Sequence, residues 1–180
     1  RGSSSDRTNC RVLTTQCQEQ FANSALYPMI DLLQRGLGLE RERSFGEQAA
    51  ALQAAVVSGR VPSPDALPLI GNLLTVPVPT PGAEDSARAQ RERSLDWLLQ
   101  WVLGTDPDMP VVLVIEDLHW ADASTLDFLG LLIEEAKCRS ILVLLTHRNE
   151  FVPPWNMHPH LSALTLCRVG LPEARILAQH

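Results

Sequence analysis

The chain has 180 residues, 45 % hydrophobic and 20 % charged, which suits one domain with a real core and excludes a disordered segment. A net charge of −6 argues against a general nucleic-acid or anionic-membrane surface. No apolar run approaches the roughly 20 residues of a membrane span, and the opening residues Arg1–Gly2–Ser3–Ser4–Ser5–Asp6 carry no signal-peptide core.

Residues 11–16 (R-V-L-T-T-Q) read as a short strand. Ser24 and then Pro28 open a helix with Ile30, Leu33 and Leu37 at helical spacing, and Gly36 and Gly38 stop it. Ser44 and Glu47 have capping-box spacing ahead of a helical run from Gln48 to Val57. Residues 59–82 are rich in proline, and a short helix over Ala66–Leu74 is expected inside an irregular crossover. A long helix is expected over Ala83–Leu103, charged at first and then apolar along Leu95, Leu98, Leu99 and Val102. Asp106–Pro107–Asp108 marks a turn. Val111–Ile115 is a short continuous apolar run, the pattern of a strand buried on both faces of a parallel sheet. Asp122 is placed to cap a helix whose apolar face is Leu126, Leu129, Leu132, Ile133 and Ala136, with Lys137 and Arg139 at its dipole-favoured end. Ile141–Leu145 reads as a second buried strand, and Leu161–Leu166 as an edge strand. Strands alternating with helices imply an α/β fold with a mostly parallel sheet and right-handed crossovers.

Four cysteines, Cys10, Cys17, Cys138 and Cys167, form no C-x-x-C pair, so reduced thiols in a cytoplasmic protein are expected. The chain lacks an initiator Met, and residues 171–178 open a helix that barely continues, so it is expected to be a fragment of a longer polypeptide.

The sharpest chemical signal is Glu116–Asp117, two carboxylates at the end of an apolar strand. Ligands bind at the carboxyl ends of strands in open α/β sheets. Two acids there can hold Mg²⁺ and orient a water, or they can cap the next helix and reach solvent. Asp122 is an ordinary helix cap. His119 and Trp120 can pack the turn against the sheet. His158-x-His160 has metal-ligand spacing but no acidic or thiol companion nearby in sequence. Arg148 stands just past the second buried strand. Neighbouring parallel strands are about 4.8 Å apart, so its guanidinium could meet a terminal phosphate or pair with the acids.

A phosphate-cradling loop needs G-x-x-x-x-G-K-[ST], and none of the ten glycines begins it. Lys137, at a helix end, is the one lysine. Gly36-x-Gly38 is followed by Arg41, so the dinucleotide fingerprint is absent too.

The run V-V-L-V-I-E-D-L-H-W-A-D-A-S-T-L (Val111–Leu126) closely resembles the Walker B region of signalling P-loop ATPases of the STAND and AAA-type group. These are domains of large bacterial multidomain proteins, found with adenylate or guanylate cyclase domains or with LuxR-type DNA-binding segments. Cys17–Leu33 is similar to the family's segment after its second strand. Ile141–Phe151 is similar to its sensor strand, followed by Pro154–Trp155. The resemblance implies a three-layer P-loop NTPase-like core with ATP and Mg²⁺ as cofactors. It makes Glu116 the first Walker B acid, at the metal, and Asp117 the second, which positions the attacking water. It makes Thr146 and Arg148 the sensor of the γ-phosphate. Many relatives carry Asp where Glu116 stands, one methylene shorter. The resemblance also implies a domain spanning residues 1–180 in part, with Walker A upstream of the first strand and a helical portion beyond the last. Such a domain would be an ATP-driven regulatory switch acting on an attached effector, a cyclase or a transcriptional regulator. The isolated 180 residues are expected to bind nucleotide poorly and to make no direct contact with nucleic acid or membrane.

Two other readings stand beside it. One is a non-catalytic scaffold of the same fold, with structural acids and helices such as 83–103 as its interaction surface. The other is a metal-dependent hydrolase using Glu116, Asp117, His119 and Asp122.

Overall fold

The computed structural model describes residues 10–39, 44–57, 61, 64–78, 86–104, 106, 109–156 and 158–166. In chain order the elements are β1 (Arg11–Gln16), α1 (Tyr27–Leu37), α2 (Phe45–Val57), α3 (Leu67–Leu74), α4 (Ala87–Leu103), β2 (Val111–Glu116), α5 (Ala123–Ala136) and β3 (Ile141–Leu145). The three strands form one parallel sheet in the order β1-β2-β3. This is the α/β fold with a parallel sheet expected from the alternation of elements, and it is consistent with the P-loop NTPase-like core that the resemblance implies.

Local sequence sets most helix ends. Pro28 sits in the first turn of α1, where its missing N–H costs nothing. Gly38 ends that helix at φ 70°, and its N–H returns to the Arg35 carbonyl while Leu39 N–H returns to Gln34. Ser44 and Glu47 form the expected capping box: Ser44 N–H donates to Glu47 Oε2 at 2.9 Å, and Glu47 N–H to Ser44 Oγ at 3.4 Å. The helix expected from Ala83 starts at Ala87 instead. Ser86 is extended and accepts from Ala89 N–H, so it is the cap; residues 83–85 lie outside the described set. The turn at Asp106 closes through Met109 N–H to the Asp106 carbonyl, with residues 107 and 108 undescribed.

The register sets Leu13, Leu113 and Val143 side by side, then Thr15, Ile115 and Leu145. Those positions share one face, and the helices pack on it. Met29, Leu33, Leu37, Leu52, Ile70, Leu98, Phe128, Leu129 and Leu132 are fully buried with Leu113 and Ile115. Each such side chain contributes about 1.5–3 kcal/mol by leaving water. Successive strands step the same way across the sheet, so crossovers of one hand bring their helices to the same side.

The opposite face corrects the expectation of strands buried on both sides. Val12 is 60 % exposed, Leu142 54 % and Leu144 46 %, while Val112 and Val114 are half-buried. No described element covers this face. Leu161–Leu166 is not a strand either: it runs irregular, with Leu164 and Leu166 exposed, because among the described residues it has no strand to pair with. The helix expected over residues 171–178 and the thiol of Cys167 lie outside the described residues. Among the described residues no helix is long and apolar enough to cross a membrane.

Candidate functional site

Parallel strands end together, so their carboxyl edge gathers residues far apart in sequence. β2 finishes on Glu116, which continues the strand's alternation onto the uncovered face and is exposed. The chain then turns sharply. Asp117 adopts a left-handed conformation, φ 56° and ψ 43°, which a non-glycine residue rarely takes and which Asp tolerates better than most. A one-turn 3-10 helix, Leu118–Trp120, follows.

The strand ends on either side hold that turn. Asp117 N–H donates to Thr146 Oγ1 at 3.1 Å, and Leu118 N–H to the Thr146 carbonyl at 2.8 Å. Thr146 N–H in turn donates to the Ile115 carbonyl at 3.0 Å. From β1, Gln16 Nε2 donates to Asp117 Oδ2 at 2.7 Å. Glu116, Asp117 and Thr146 thus stand together at one edge, joined by Gln16. Sequence reasoning passed over Gln16. No local signal could have found it, since the register that sets Gln16 beside Glu116 exists only once β1 and β2 have paired.

Arg148 goes elsewhere. Its guanidinium lies over the Trp120 ring, 5.8 Å from the centroid, and among the described residues it makes no ion pair with either acid. The pairing of Arg148 with Glu116 or Asp117 allowed by the sequence is therefore not formed.

Asp122 is a cap, as expected, and also a clamp. Oδ1 accepts from Ser124 and Thr125 N–H at 2.9 and 3.1 Å. Oδ2 accepts from the Thr125 hydroxyl and, at 3.1 Å, from the N–H of Leu26, ninety-six residues earlier in the chain. Leu26 is itself left-handed, φ 58°, a strained state for leucine. Asp122 anchors that strained entry to α1 on the first turn of α5.

This use of Asp122 removes it from the metal-dependent hydrolase reading. His119 departs too: both its ring nitrogens are shut off from solvent and have no hydrogen-bond partner among the described residues. Among the described residues no group of three or more His, Cys, Asp or Glu could hold a metal ion. His158 does find the acidic companion that the sequence did not show nearby. Its Nε2 lies 3.4 Å from Glu134 Oε1 on α5, and His160 Nε2 donates to the Ile133 carbonyl at 2.9 Å. Lys137, 3.6 Å from the same carboxylate, makes this a surface charge cluster that docks the loop.

Cys17, just past β1, is buried against this edge, and its N–H donates to the Glu116 carbonyl at 2.9 Å. Burial, with the charges of Asp122 and Asp117, pushes its thiol from 9.0 up to about 11. A cleft lined by Leu103, Gly104, Met109, Cys138 and Arg139 lies at the opposite, amino edge of the strands and is separate from these acids.

The AAA ATPase domain family matches residues 3–144, most of the chain, from ahead of β1 into β3. The chain belongs to this family of P-loop ATPase-type, nucleotide-binding domains. Comparison with curated proteins and with solved structures returns no match.

Such domains use nucleotide and typically Mg²⁺. The donors present suit that cation: Glu116 and Asp117 offer hard carboxylate oxygens, and neither has an ion-pair partner among the described residues. Glu116 is also exposed at the strand tip and free to turn toward a ligand.

Proposed function

We propose that this domain is an ATP-driven regulatory switch within a larger signalling protein, of the STAND type that accompanies cyclase or LuxR-type DNA-binding effectors. One observation carries the reading. Two carboxylates and a threonine hydroxyl meet at the carboxyl edge of a parallel sheet, the edge where such folds take nucleotides.

In this reading Glu116 holds Mg²⁺, directly or through water. A bound magnesium–nucleotide supplies the charge neutralisation that phosphoryl transfer requires. Asp117 positions the attacking water for in-line attack on the γ-phosphate. Gln16 fixes the carboxylate of Asp117, and Thr146 fixes its backbone, so the water would meet an already oriented group. Thr146 and Arg148 read γ-phosphate occupancy. Among the described residues the Arg148 guanidinium rests on the half-buried Trp120 indole, and an anionic phosphate would outcompete that contact. The 180 residues contain no phosphate-cradling glycine loop, so the proposal places that loop elsewhere in the polypeptide.

The test is Asp117→Asn in the full-length protein. Hydrolysis should fall by about 10²–10³, the range for losing a group that handles a proton, while nucleotide affinity stays within about threefold. Turnover equal to wild type would remove Asp117 from the mechanism and favour the non-catalytic scaffold.

A further inference from the structure

The turn between the two acids and α5 contains one unexplained side chain. His119 lies two residues past Asp117 inside the 3-10 turn, with both ring nitrogens buried and neither hydrogen-bonded among the described residues. Buried polar atoms are nearly always satisfied, so two ring nitrogens without a partner among the described residues call for one. Its surroundings are tied down on every side but its own. Thr146 holds the turn at Asp117 and Leu118, and Asp122 holds the start of α5. Between them the His119 ring tilts against the Trp120 indole, centroids 5.0 Å apart, and the Arg148 guanidinium lies over that indole as well. Arg148, Trp120 and His119 are thus linked in series, with a cation at one end and, at the other, an imidazole unsatisfied among the described residues. The left-handed Asp117 at the start of the turn adds a second unfavourable feature to the same four residues.

We propose that His119 is a positioning residue whose imidazole acquires a hydrogen-bond partner only in the nucleotide-bound conformation, so that departure of Arg148 from Trp120 toward a phosphate is transmitted to the turn carrying Asp117. The inference rests on the nucleotide-switch reading above. Binding is coupled to relaxation of this turn because a ligand stabilises whichever conformer it pairs with better.

The experiment compares wild type, His119→Phe and His119→Gln in the full-length protein by thermal melting with and without Mg–ATP, and by direct Mg–ATP titration. Phe fills the same volume without polar atoms, so without nucleotide it should melt at or above the wild-type temperature. Its Mg–ATP affinity should fall about tenfold, the factor for one hydrogen bond of ordinary strength, and its nucleotide-induced rise in melting temperature should shrink accordingly. His119→Gln, which restores a donor and an acceptor, should recover much of that affinity. A His119→Phe protein that fails to fold, or melts below wild type while binding Mg–ATP normally, overturns the proposal, because the nitrogens are then satisfied at rest. A full wild-type nucleotide shift retained by His119→Phe overturns it as well and leaves the switch reading standing. No Mg–ATP shift in wild type itself would remove the switch reading and this inference together.

Discussion

Cys17 and Asp122 show how much single residues near the acidic edge contribute, by opposite routes. The Cys17 thiol is held neutral by burial and by two nearby carboxylates, up to about 11 from 9.0. A raised folded-state pKa contributes stability that is fully present below pH 9 and lost as pH rises toward 11, because the unfolded chain releases the proton first. Stability should therefore decline across that window, and Cys17→Ala should flatten the decline, as measured by urea midpoints at stepped pH. Alkylation at pH 8 followed by mass spectrometry should label the exposed Cys10 and Cys138 and spare Cys17 until the protein unfolds. Asp122 acts through hydrogen bonds. Asp122→Ala removes the cap of α5 and the anchor of a strained Leu26, and should cost about 2–3 kcal/mol, read as a fall in the denaturation midpoint. The cap was legible from Asp122 standing before an apolar periodic run; the bond to Leu26 was not, because nothing local links positions ninety-six residues apart.

At the scale of elements, helix-to-helix approach is decided by where bulk is absent. Gly36 lies in α1, and a Cβ there would sit 2.6 Å from the Trp101 ring of α4. That indole also carries the Arg11 guanidinium, 4.5 Å from its centroid, and the Trp101 carbonyl accepts from the same side chain. Alanine is the better helix former by about 1 kcal/mol, yet Gly36→Ala should destabilise, by about 1–3 kcal/mol, since the indole must leave its seat between α1 and β1. Thermal melting decides the sign. Gly36 was read from sequence as part of a helix stop. It lies within α1 instead, and Gly38 alone makes the left-handed exit. A glycine that ends a helix and a glycine that admits a neighbour look identical until the neighbour is placed. The apolar stripes were clearer: Leu98, Leu99 and Val102 of α4 and Leu129, Leu132 and Ile133 of α5 are buried as their spacing required.

At the scale of the whole molecule, the sheet presents two unlike faces. One is sealed by helices; the other shows Val12, Leu142 and Leu144, beside β3, whose outer edge is unpaired among the described residues. An apolar strip next to an open edge favours association. The 180-residue chain should therefore self-associate as concentration rises, and Leu142→Lys with Leu144→Lys should return it to monomer with little change in melting temperature, as followed by light scattering. A pair of substitutions that unfolds the chain would show that this face is packed in solution. The apolar run of β3 was read as a second buried strand, yet its alternate residues Leu142 and Leu144 are exposed. Composition records that a surface avoids water when covered, but it does not record what covers it.

Period and punctuation were enough to determine the order of strands and helices from β1 to β3, the cap at Asp122, the capping box at Ser44, and two acids at the tip of β2. These are local quantities, set by side-chain alternation, proline and glycine chemistry, and the cost of burying charge. Tertiary structure alone decided that Gln16 reaches Asp117, that Arg148 rests on Trp120, that Asp122 holds Leu26, and that His119 has no partner among the described residues. Each depends on which strand ends lie side by side and which rings share a pocket, and such contacts arise only when segments distant along the chain have packed.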